Sequence, residues 1–152
     1  MSANDGILNE KDIYALNQYK SSHVSYPLNS ILRGESPMTD EYRQIARDID
    51  QALLKLPAYQ GTVYRSLRSQ EMVDVDGFWR RYSPGSYVVE SAFTSSGTEV
   101  YDDTMDIQMV IQSKRGCDMR EYNPLEQEIL FKRGSMFFVE KREGNTLWLT
   151  EI

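Results

Sequence analysis

The sequence predicts an α+β domain in which N-terminal helices are followed by two packed, mainly antiparallel sheets. Apolar residues recur at helical spacing through the first third of the chain, whereas they alternate at a spacing of two through much of the rest. The turns between the later segments are too short for the crossover connections that parallel strands need. Helices that come first and strands that follow are typical of the α+β class.

Three helices are predicted in the first third of the chain. Residues 1–9 are polar and predicted to lack regular structure, and the first helix covers residues 10–19. The second begins at Pro27, because proline suits a first helical turn, and it ends at Gly34. The third and longest helix follows the capping residue Thr39.

The remainder of the chain is predicted to consist mainly of strands, with one short helix between the first two. Within residues 86–95, Tyr87, Val89 and Phe93 are predicted to lie on one face of a strand. Residues 114–123 are polar and predicted to form a loop. The predicted strands cover residues 62–67, 86–95, 106–113, 124–131, 136–139 and 146–152.

Length and composition fit a single globular domain over residues 1–152. The chain is 40% hydrophobic and 26% charged, which suffices for a normal core. One cysteine excludes an internal disulfide, and one cysteine with one histidine cannot supply four His/Cys ligands to zinc, so no metal is predicted. No apolar run approaches the ~20 residues that span a bilayer, so no membrane partner is predicted, and no signal peptide is visible. The net charge of −6 argues against nucleic acid as a partner, but it permits a local anion pocket.

Two glutamates near the end of the chain suggest a reactive site. If residues 124–131 form a strand, Glu126 and Glu128 project from the same face, and Leu130 continues that face. Neighbouring like charges raise each other's pKa unless a cation lies between them. Such a pair suits a site that binds a cation or stabilises a developing positive charge. The alternative is a pair of exposed carboxylates on an edge strand.

Two further polar residues fall on predicted apolar faces. Arg65 shares the face of Val63 and Leu67, where an unpaired guanidinium is costly. Arg65 therefore binds an anion such as phosphate, pairs with a core carboxylate, or lies at the end of its strand. Ser95 ends a predicted strand in a cluster of hydroxyls, which indicates either a turn or a side chain that orients a buried carboxylate such as Glu128.

Together these segments resemble the toxin-type mono-ADP-ribosyltransferase family. Tyr64-Arg65-Ser66, Phe93-Thr94-Ser95-Ser96 and Glu126-Gln127-Glu128 are similar to its Arg–Ser–Glu signature, in the same order. Residues 49–67 and 126–139 are similar to the family's segments around the arginine and the glutamate, so the resemblance covers roughly residues 10–150. The chain departs from the family where Gly97 replaces the last residue of the usual Ser-Thr-Ser and where Ser66 replaces a frequent glycine.

The resemblance implies that NAD is the substrate and that nicotinamide leaves from the ribose. Glu128 would then stabilise the oxocarbenium-like transition state, and Arg65 would hold the diphosphate. Ser95 would fix the Glu128 side chain, and Ser66 would bind the nicotinamide amide through its backbone. Glu126 would orient and deprotonate the incoming nucleophile.

The resemblance also implies further site residues and an acceptor. The Glu-x-Glu form is the one that arginine-modifying members carry, so the expected acceptor is an arginine of a target protein. Tyr122 and Asn123 lie in a loop that matches the family's target-recognition loop. Tyr19 and Asn29 lie in a segment that resembles the family's NAD-contacting helices.

Three functions are therefore considered. The first is an arginine-specific mono-ADP-ribosyltransferase toxin or effector, secreted or injected, that acts in the cytoplasm of a target cell and has a cognate immunity protein. The second is an NAD glycohydrolase, or a nucleic-acid ADP-ribosyltransferase, on the same fold. The third is a catalytically inactive module that binds a protein.

Overall fold

The computed structural model describes residues 8–123 and 125–152. The prediction for residues 1–7, and the placement of Pro124 on a strand, lie outside these ranges. Asn9 caps the first helix, because its side chain accepts a hydrogen bond from the Asp12 amide while the Asp12 carboxylate accepts one from the Asn9 amide. The predicted N-terminal helix therefore has a capping box at its start.

Four α-helices are present in the described ranges, and none of them is long and apolar enough to cross a membrane. The prediction that Pro27 begins the second helix is wrong. The helix begins at Ser22, because the Ser21 side chain caps it by accepting from the His23 amide, and Pro27 lies inside it. The helices are α1 (Glu10–Lys20), α2 (Ser22–Leu32), α3 (Asp40–Leu53) and α4 (Val75–Arg81), with a short 3₁₀ turn at Ser69–Glu71.

In the described part of the chain, seven strands follow α3 and form one hydrogen-bonded sheet in the order β1-β3-β5-β4-β7-β6-β2. All neighbouring strands are antiparallel except β4 and β7, so the predicted α+β class is confirmed. The strands are β1 (Ala58–Leu67), β2 (Tyr87–Glu90), β3 (Thr94–Gly97), β4 (Ile107–Asp118), β5 (Glu128–Phe131), β6 (Ser135–Glu143) and β7 (Thr146–Glu151).

The strands form one continuous network, where the sequence predicted two packed sheets, because four of them close into a ring. β1 pairs with β4 along its length and with β3 at Tyr64 and Gly97. β5 pairs with β3 on one side and with Cys117 and Asp118, at the end of β4, on the other. The long strand β4 therefore joins strands that would otherwise belong to separate sheets.

The buried carboxylate of Glu151 lies where β4 changes neighbours. Up to Gln112 the strand runs beside β7, and from Cys117 onward it pairs with β5. Between these points Glu151 Oε1 accepts hydrogen bonds of 2.7 Å from the backbone amides of both Lys114 and Arg115. Glu151 therefore satisfies two backbone donors at the transition between strand partners.

Two hydrophobic clusters lie on opposite faces of β5. Leu130 packs toward the helices, whereas Ile129 and Phe131 pack among the strands, as the alternation of the sequence predicts. The helical cluster includes Leu16, Leu28, Ile49, Leu53, Phe93 and Leu130. The cluster among the strands includes Val63, Ile111, Ile129, Phe131, Phe137 and Leu147. The start of β5 is thus anchored from both sides.

The single strand predicted for residues 86–95 is in fact two strands with different partners. β2 pairs with β6, whereas β3 pairs with β5. In β2 the buried side chain is Val88, whereas Tyr87 and Val89, on the predicted face, are exposed. Phe93, predicted on the same face, is buried but lies between β2 and β3. Both faces of this segment carry apolar residues, so only the packing against β6 decides which face is buried.

Two predicted boundaries near the end of the chain also differ. The predicted loop 114–123 begins later, because β4 continues to Asp118, and the predicted strand 124–131 begins only at Glu128. Residues 119–123 and 125–127 therefore belong to the loop between β4 and β5.

We expect Glu151→Ala to lower the free energy of unfolding by about 2–4 kcal/mol, because two part-buried backbone amides lose a charged acceptor. Glu151→Gln keeps an oxygen acceptor while it removes the 3.6 Å ion pair with Arg115, so it should cost less. Urea denaturation of both variants provides the test. An equal loss in both would show that the ion pair, rather than the backbone hydrogen bonds, carries the effect.

Candidate active site

A cleft of about 640 Å³ lies between the helices α1 and α2 and the strands β1, β3 and β5. It brings together residues that are up to 109 positions apart in sequence, from Tyr19 to Glu128. Seven of the nine predicted site residues line this cleft, and Tyr122 and Asn123 do not. The seven are Tyr19, Asn29, Arg65, Ser66, Ser95, Glu126 and Glu128.

Glu128 begins β5 and is only 5% exposed. Burial raises the pKa of its carboxyl, and the nearby charge of Glu126 raises it further. Hydrogen bonds from Asn123 and Ser95, together with the charge of Lys20, act in the opposite direction. The site thus contains a desolvated carboxylate whose charged form depends on a small set of donors.

Glu126 lies beside Glu128, but it does so by a turn and not by the strand alternation that the sequence predicted. Gln127 has a φ of +48°, in the left-handed region, and the regular strand begins only after it. The exposed Glu126 side chain accepts a 3.1 Å hydrogen bond from Asn123 Nδ2, which also donates to Glu128 at 2.9 Å. The two carboxylates are therefore adjacent, with one amide between them.

Ser95 belongs to a polar chain that enters the cleft from the helices. Its Oγ lies 3.5 Å from the hydroxyl of Tyr19, which accepts a 2.9 Å hydrogen bond from Asn29 Nδ2. Asn29 Oδ1 in turn accepts from the backbone amide of Phe93. Burial raises the pKa of Tyr19, so its hydroxyl stays protonated and available as a donor. The predicted residues Tyr19 and Asn29 are therefore in contact with the site, and their NAD-binding role stays a prediction.

Arg65 lines the cleft and donates from Nη1 to the carbonyl of Ser95 at 2.8 Å. Within residues 8–123 and 125–152 no carboxylate forms an ion pair with it, which disfavours the alternative of a pairing with a core carboxylate. The guanidinium is thus held at the edge of β3 and borders the cavity. Its role in binding an anion stays a prediction.

Ser66 also lines the cleft, but its side chain serves the sheet. Its Oγ donates to Gln108 Oε1 at 2.7 Å and accepts from the backbone amide of Asp102. These contacts fix the end of β1 next to the loop before β4. The predicted backbone role of Ser66 toward nicotinamide is neither supported nor opposed by them.

Arg33 is a cleft residue that the sequence analysis missed. It follows α2 and lines the cavity together with Arg65, and its Nε lies 3.2 Å from Glu35. The signal that could have identified it is its position four residues after Asn29, one helical turn away. Two guanidiniums therefore border one cavity.

Gly97 lies where β3 meets the Glu126 turn. It pairs with Glu128 across β3 and β5. A Cβ at this position would lie 2.9 Å from the carbonyl oxygen of Glu126, closer than side chains tolerate. The absence of a side chain lets the Glu126 turn lie directly against β3. A serine at this position would require the turn to move.

Tyr122 and Asn123, both predicted to recognise a target, lie in different surroundings. Asn123 is 7% exposed and donates to both glutamates, so its side chain faces the site and is not available on the surface. Tyr122 is half-buried in a second groove of about 410 Å³ that also contains Pro57 and Arg120. Burial raises the pKa of Tyr122. Its role in target recognition stays a prediction.

We expect Glu128→Gln to be at least as stable as the wild type above neutral pH. The folded protein raises the pKa of Glu128 above its ordinary value near 4.5, so the native state holds this proton where the unfolded state has lost it. The contribution of this carboxyl to stability is complete below pH ~4 and is lost as the pH rises through the raised pKa. Glutamine does not titrate, so the variant does not lose stability in this way as the pH rises. Its melting temperature should therefore exceed that of the wild type by more at pH 7.5 than at pH 4.

Glu121→Gln is a matched control, since it makes the same change of charge at an exposed position on the same loop. Thermal unfolding of both variants across this pH range measures the effect. A variant at position 128 that loses stability at pH 7.5 would show that the ionised carboxylate contributes more through its hydrogen bonds than its burial costs.

Comparison with known proteins identifies sequence relatives, and this chain matches only part of the length of each. The chain is 33% identical over 143 residues to a putative NAD(+)--arginine ADP-ribosyltransferase, Mav, of Mycobacterium avium (strain 104), covering 87% of this chain and 16% of that protein. It is 26% identical over 137 residues to the NAD(+)--protein-arginine ADP-ribosyltransferase Tre1 of Serratia proteamaculans (strain 568), covering 90% of this chain and 30% of that protein. The chain therefore spans less than a third of either relative. No family model matches it.

Solved structures establish the fold. The type III effector XopAI from Xanthomonas axonopodis pv. citri aligns with a TM-score of 0.78 at 24% identity, over 95% of this chain and 68% of that one. Plx2a, an ADP-ribosyltransferase toxin from Paenibacillus larvae, aligns with a TM-score of 0.72 at 16% identity, over 95% of this chain and 87% of that one. The chain therefore has the fold of ADP-ribosyltransferase toxins.

Proposed function

We propose that this chain is a mono-ADP-ribosyltransferase that transfers ADP-ribose from NAD to an arginine of a target protein and releases nicotinamide. The observation that carries the proposal is the buried Glu128 carboxylate, which lies beside Glu126 in a cleft that Arg65 also borders. The names of the two sequence relatives, both arginine ADP-ribosyltransferases, support the same activity.

The cleft suits NAD in size and charge. Its volume of about 640 Å³ falls within the range of small-molecule and cofactor sites. Arg65 and Arg33 offer planar guanidiniums, which match the geometry of a diphosphate. Phe93 also lines the cleft, although its side chain is almost fully buried. The cleft therefore contains both basic and acidic groups.

Glu128 would act on the charge that develops as nicotinamide leaves. Cleavage of the bond between the ribose and nicotinamide produces an oxocarbenium-like transition state, as in glycoside hydrolysis. An ionised carboxylate in a desolvated site stabilises such a charge more strongly than it would in water. Ser95 and Asn123 favour the ionised form by donating to it. These donors would therefore keep the Glu128 carboxylate ionised, although burial disfavours its charge.

Glu126 would act on the acceptor. It is an exposed residue of the cleft, two residues before the buried Glu128, so a target side chain can reach it. The arginine guanidinium is protonated at neutral pH and is a poor nucleophile in that form. A carboxylate next to it can bind it and accept a proton during transfer. Glu128 would therefore act on NAD, the donor of ADP-ribose, and Glu126 would act on the acceptor arginine.

We further propose that residues 1–152 form one catalytic domain of a secreted or injected effector that acts in the cytoplasm of a target cell. The likeness to the type III effector XopAI supports this delivery class. An enzyme that consumes NAD and modifies arginines endangers the cell that makes it, so we also propose a cognate immunity protein as a partner. NAD is proposed as substrate, without a metal cofactor.

The first test measures nicotinamide release and labelling of agmatine from labelled NAD, with RNA and buffer alone as other acceptors. We expect the wild type to label agmatine, and Glu128→Gln to lose both activities by roughly 10²–10³-fold, the scale of removing one preorganised electrostatic partner. Glu121→Gln should retain both. Label on RNA would favour a nucleic-acid transferase, nicotinamide release alone would favour a glycohydrolase, and neither activity would favour a binding module.

Glu126→Gln should separate transfer from hydrolysis. We expect agmatine labelling to fall by roughly 10²-fold or more, the lower end of general-base effects, because the guanidinium loses the carboxylate that takes its proton. Nicotinamide release to water should persist, since Glu128 remains. Both activities are measured on one preparation. Equal loss of both would indicate that Glu126 supports NAD binding, and retained labelling would contradict the assignment of the acceptor.

A further inference from the structure

We propose that Asn123 is a positioning residue, whose side-chain amide holds the carboxylates of Glu126 and Glu128 side by side in the arrangement that arginine transfer requires. The geometry of this inference rests on the hydrogen bonds of the loop. Its consequence for activity rests on the proposed transferase function. It assigns to Asn123 a role inside the site, in place of the contact with the target protein that the sequence suggested.

The amide of Asn123 has a defined orientation. Its Nδ2 lies 3.1 Å from Glu126 Oε2 and 2.9 Å from Glu128 Oε1. An amide nitrogen carries two hydrogens, so each hydrogen can serve one carboxylate. The opposite orientation would place the carbonyl oxygen of Asn123 against two anions, which is unfavourable. The acceptors therefore fix which end of the side chain faces them.

Three hydrogen bonds hold the loop around Asn123 in place. Its own amide donates to the carbonyl of Met119 at 2.7 Å, and the Met119 amide donates to the carbonyl of Glu128 at 3.0 Å. Lys20 Nζ, from α1, donates to the carbonyl of Tyr122 at 3.1 Å. The side chain that bridges the glutamates is thus anchored to the strand that carries one of them. A residue so fixed can position a partner.

A neutral donor suits this place better than a cation. Two adjacent carboxylates repel, and each favours the protonated form of the other. A lysine or arginine here would neutralise them, but it would also occupy Glu126 with an ion pair and repel an incoming guanidinium. The amide of Asn123 supplies two partial positive charges and no net charge. It stabilises the ionised pair and leaves its negative charge available to the acceptor.

Several other groups also influence Glu128. Lys20 and Tyr19 face it from α1, Ser95 from β3, and Glu126 from the loop. Of these, Lys20 and Ser95 favour its ionised form, as Asn123 does, whereas Glu126 opposes it. Asn123 differs from all of them because it alone, among the described residues, donates to both carboxylates. Its removal should therefore affect both steps of the reaction.

The test uses Asn123→Ala and the milder Asn123→Ser, whose hydroxyl can donate to only one carboxylate. We expect agmatine labelling by Asn123→Ala to fall roughly 10- to 100-fold, the scale of losing a hydrogen bond to a charged group. Nicotinamide release should fall less, and its acid limb should move to higher pH. In a Glu126→Gln background the same substitution should cost less labelling, because one of its partners is already lost.

Asn145→Ala is the matched control, since Asn145 lies exposed in the turn between β6 and β7, away from the cleft. It should change neither activity. Melting temperatures of all variants identify any loss that is due to unfolding, and Asn123→Ser serves if the alanine variant does not fold. Retained labelling together with an unchanged pH profile in a folded variant would overturn the positioning role.

A carboxyl ¹³C NMR titration of Glu126 and Glu128 provides a readout that does not depend on activity. We expect Asn123→Ala to shift the Glu128 titration to higher pH and to alter that of Glu126. An unchanged titration would overturn the proposal. If the titration shifts as expected while the wild type neither releases nicotinamide nor labels agmatine, Asn123 positions the carboxylates and the proposed transferase function fails instead.

Discussion

The site is organised around the burial of one carboxylate. Glu128 is 5% exposed, and burial disfavours its charge. The surrounding elements compensate with donors: Ser95 from β3, Asn123 from the loop, and the charge of Lys20 from α1. Removing water makes the remaining electrostatic interactions stronger, so the same burial that costs stability makes the carboxylate effective against a positive charge.

This burial depends on the ring of four strands. β5 has only four residues, all of them buried, and it is held between β3 and the far end of β4. β4 reaches β5 because it leaves β7 at the point where Glu151 satisfies two backbone amides. The carboxylate of Glu151, beside β4, thus supports the position of the buried Glu128 carboxylate in the neighbouring strand. Gly97 completes the arrangement by allowing the Glu126 turn to approach β3.

The cleft contains charges of both signs. Arg33 and Arg65 line it together with Glu126 and Glu128. A substrate that carries a diphosphate and develops a positive charge can interact with both kinds of group. The net charge of −6 does not reveal this site, because its charged groups come together only when α2, β1 and β5 meet. The chain is acidic overall and still offers a local site for an anion.

By itself the sequence determined the α+β class and the helices α1 and α3, and it predicted Arg65, Ser95 and Glu128 as site residues. The class and the helices depend on local periodicity and capping residues, which can be seen in a short window. The three site residues were predicted from motifs that occur in a fixed order along the chain. Tertiary structure decided the start of α2, the buried face of β2, the Glu126 turn and the position of Asn123 between two carboxylates. Each of these depends on a partner distant in the chain or on a backbone conformation that the residue pattern does not encode. The hydrophobic alternation cannot distinguish a strand from a turn at Gln127, and only the packing of the loop on β5 shows why Asn123 lies between two carboxylates.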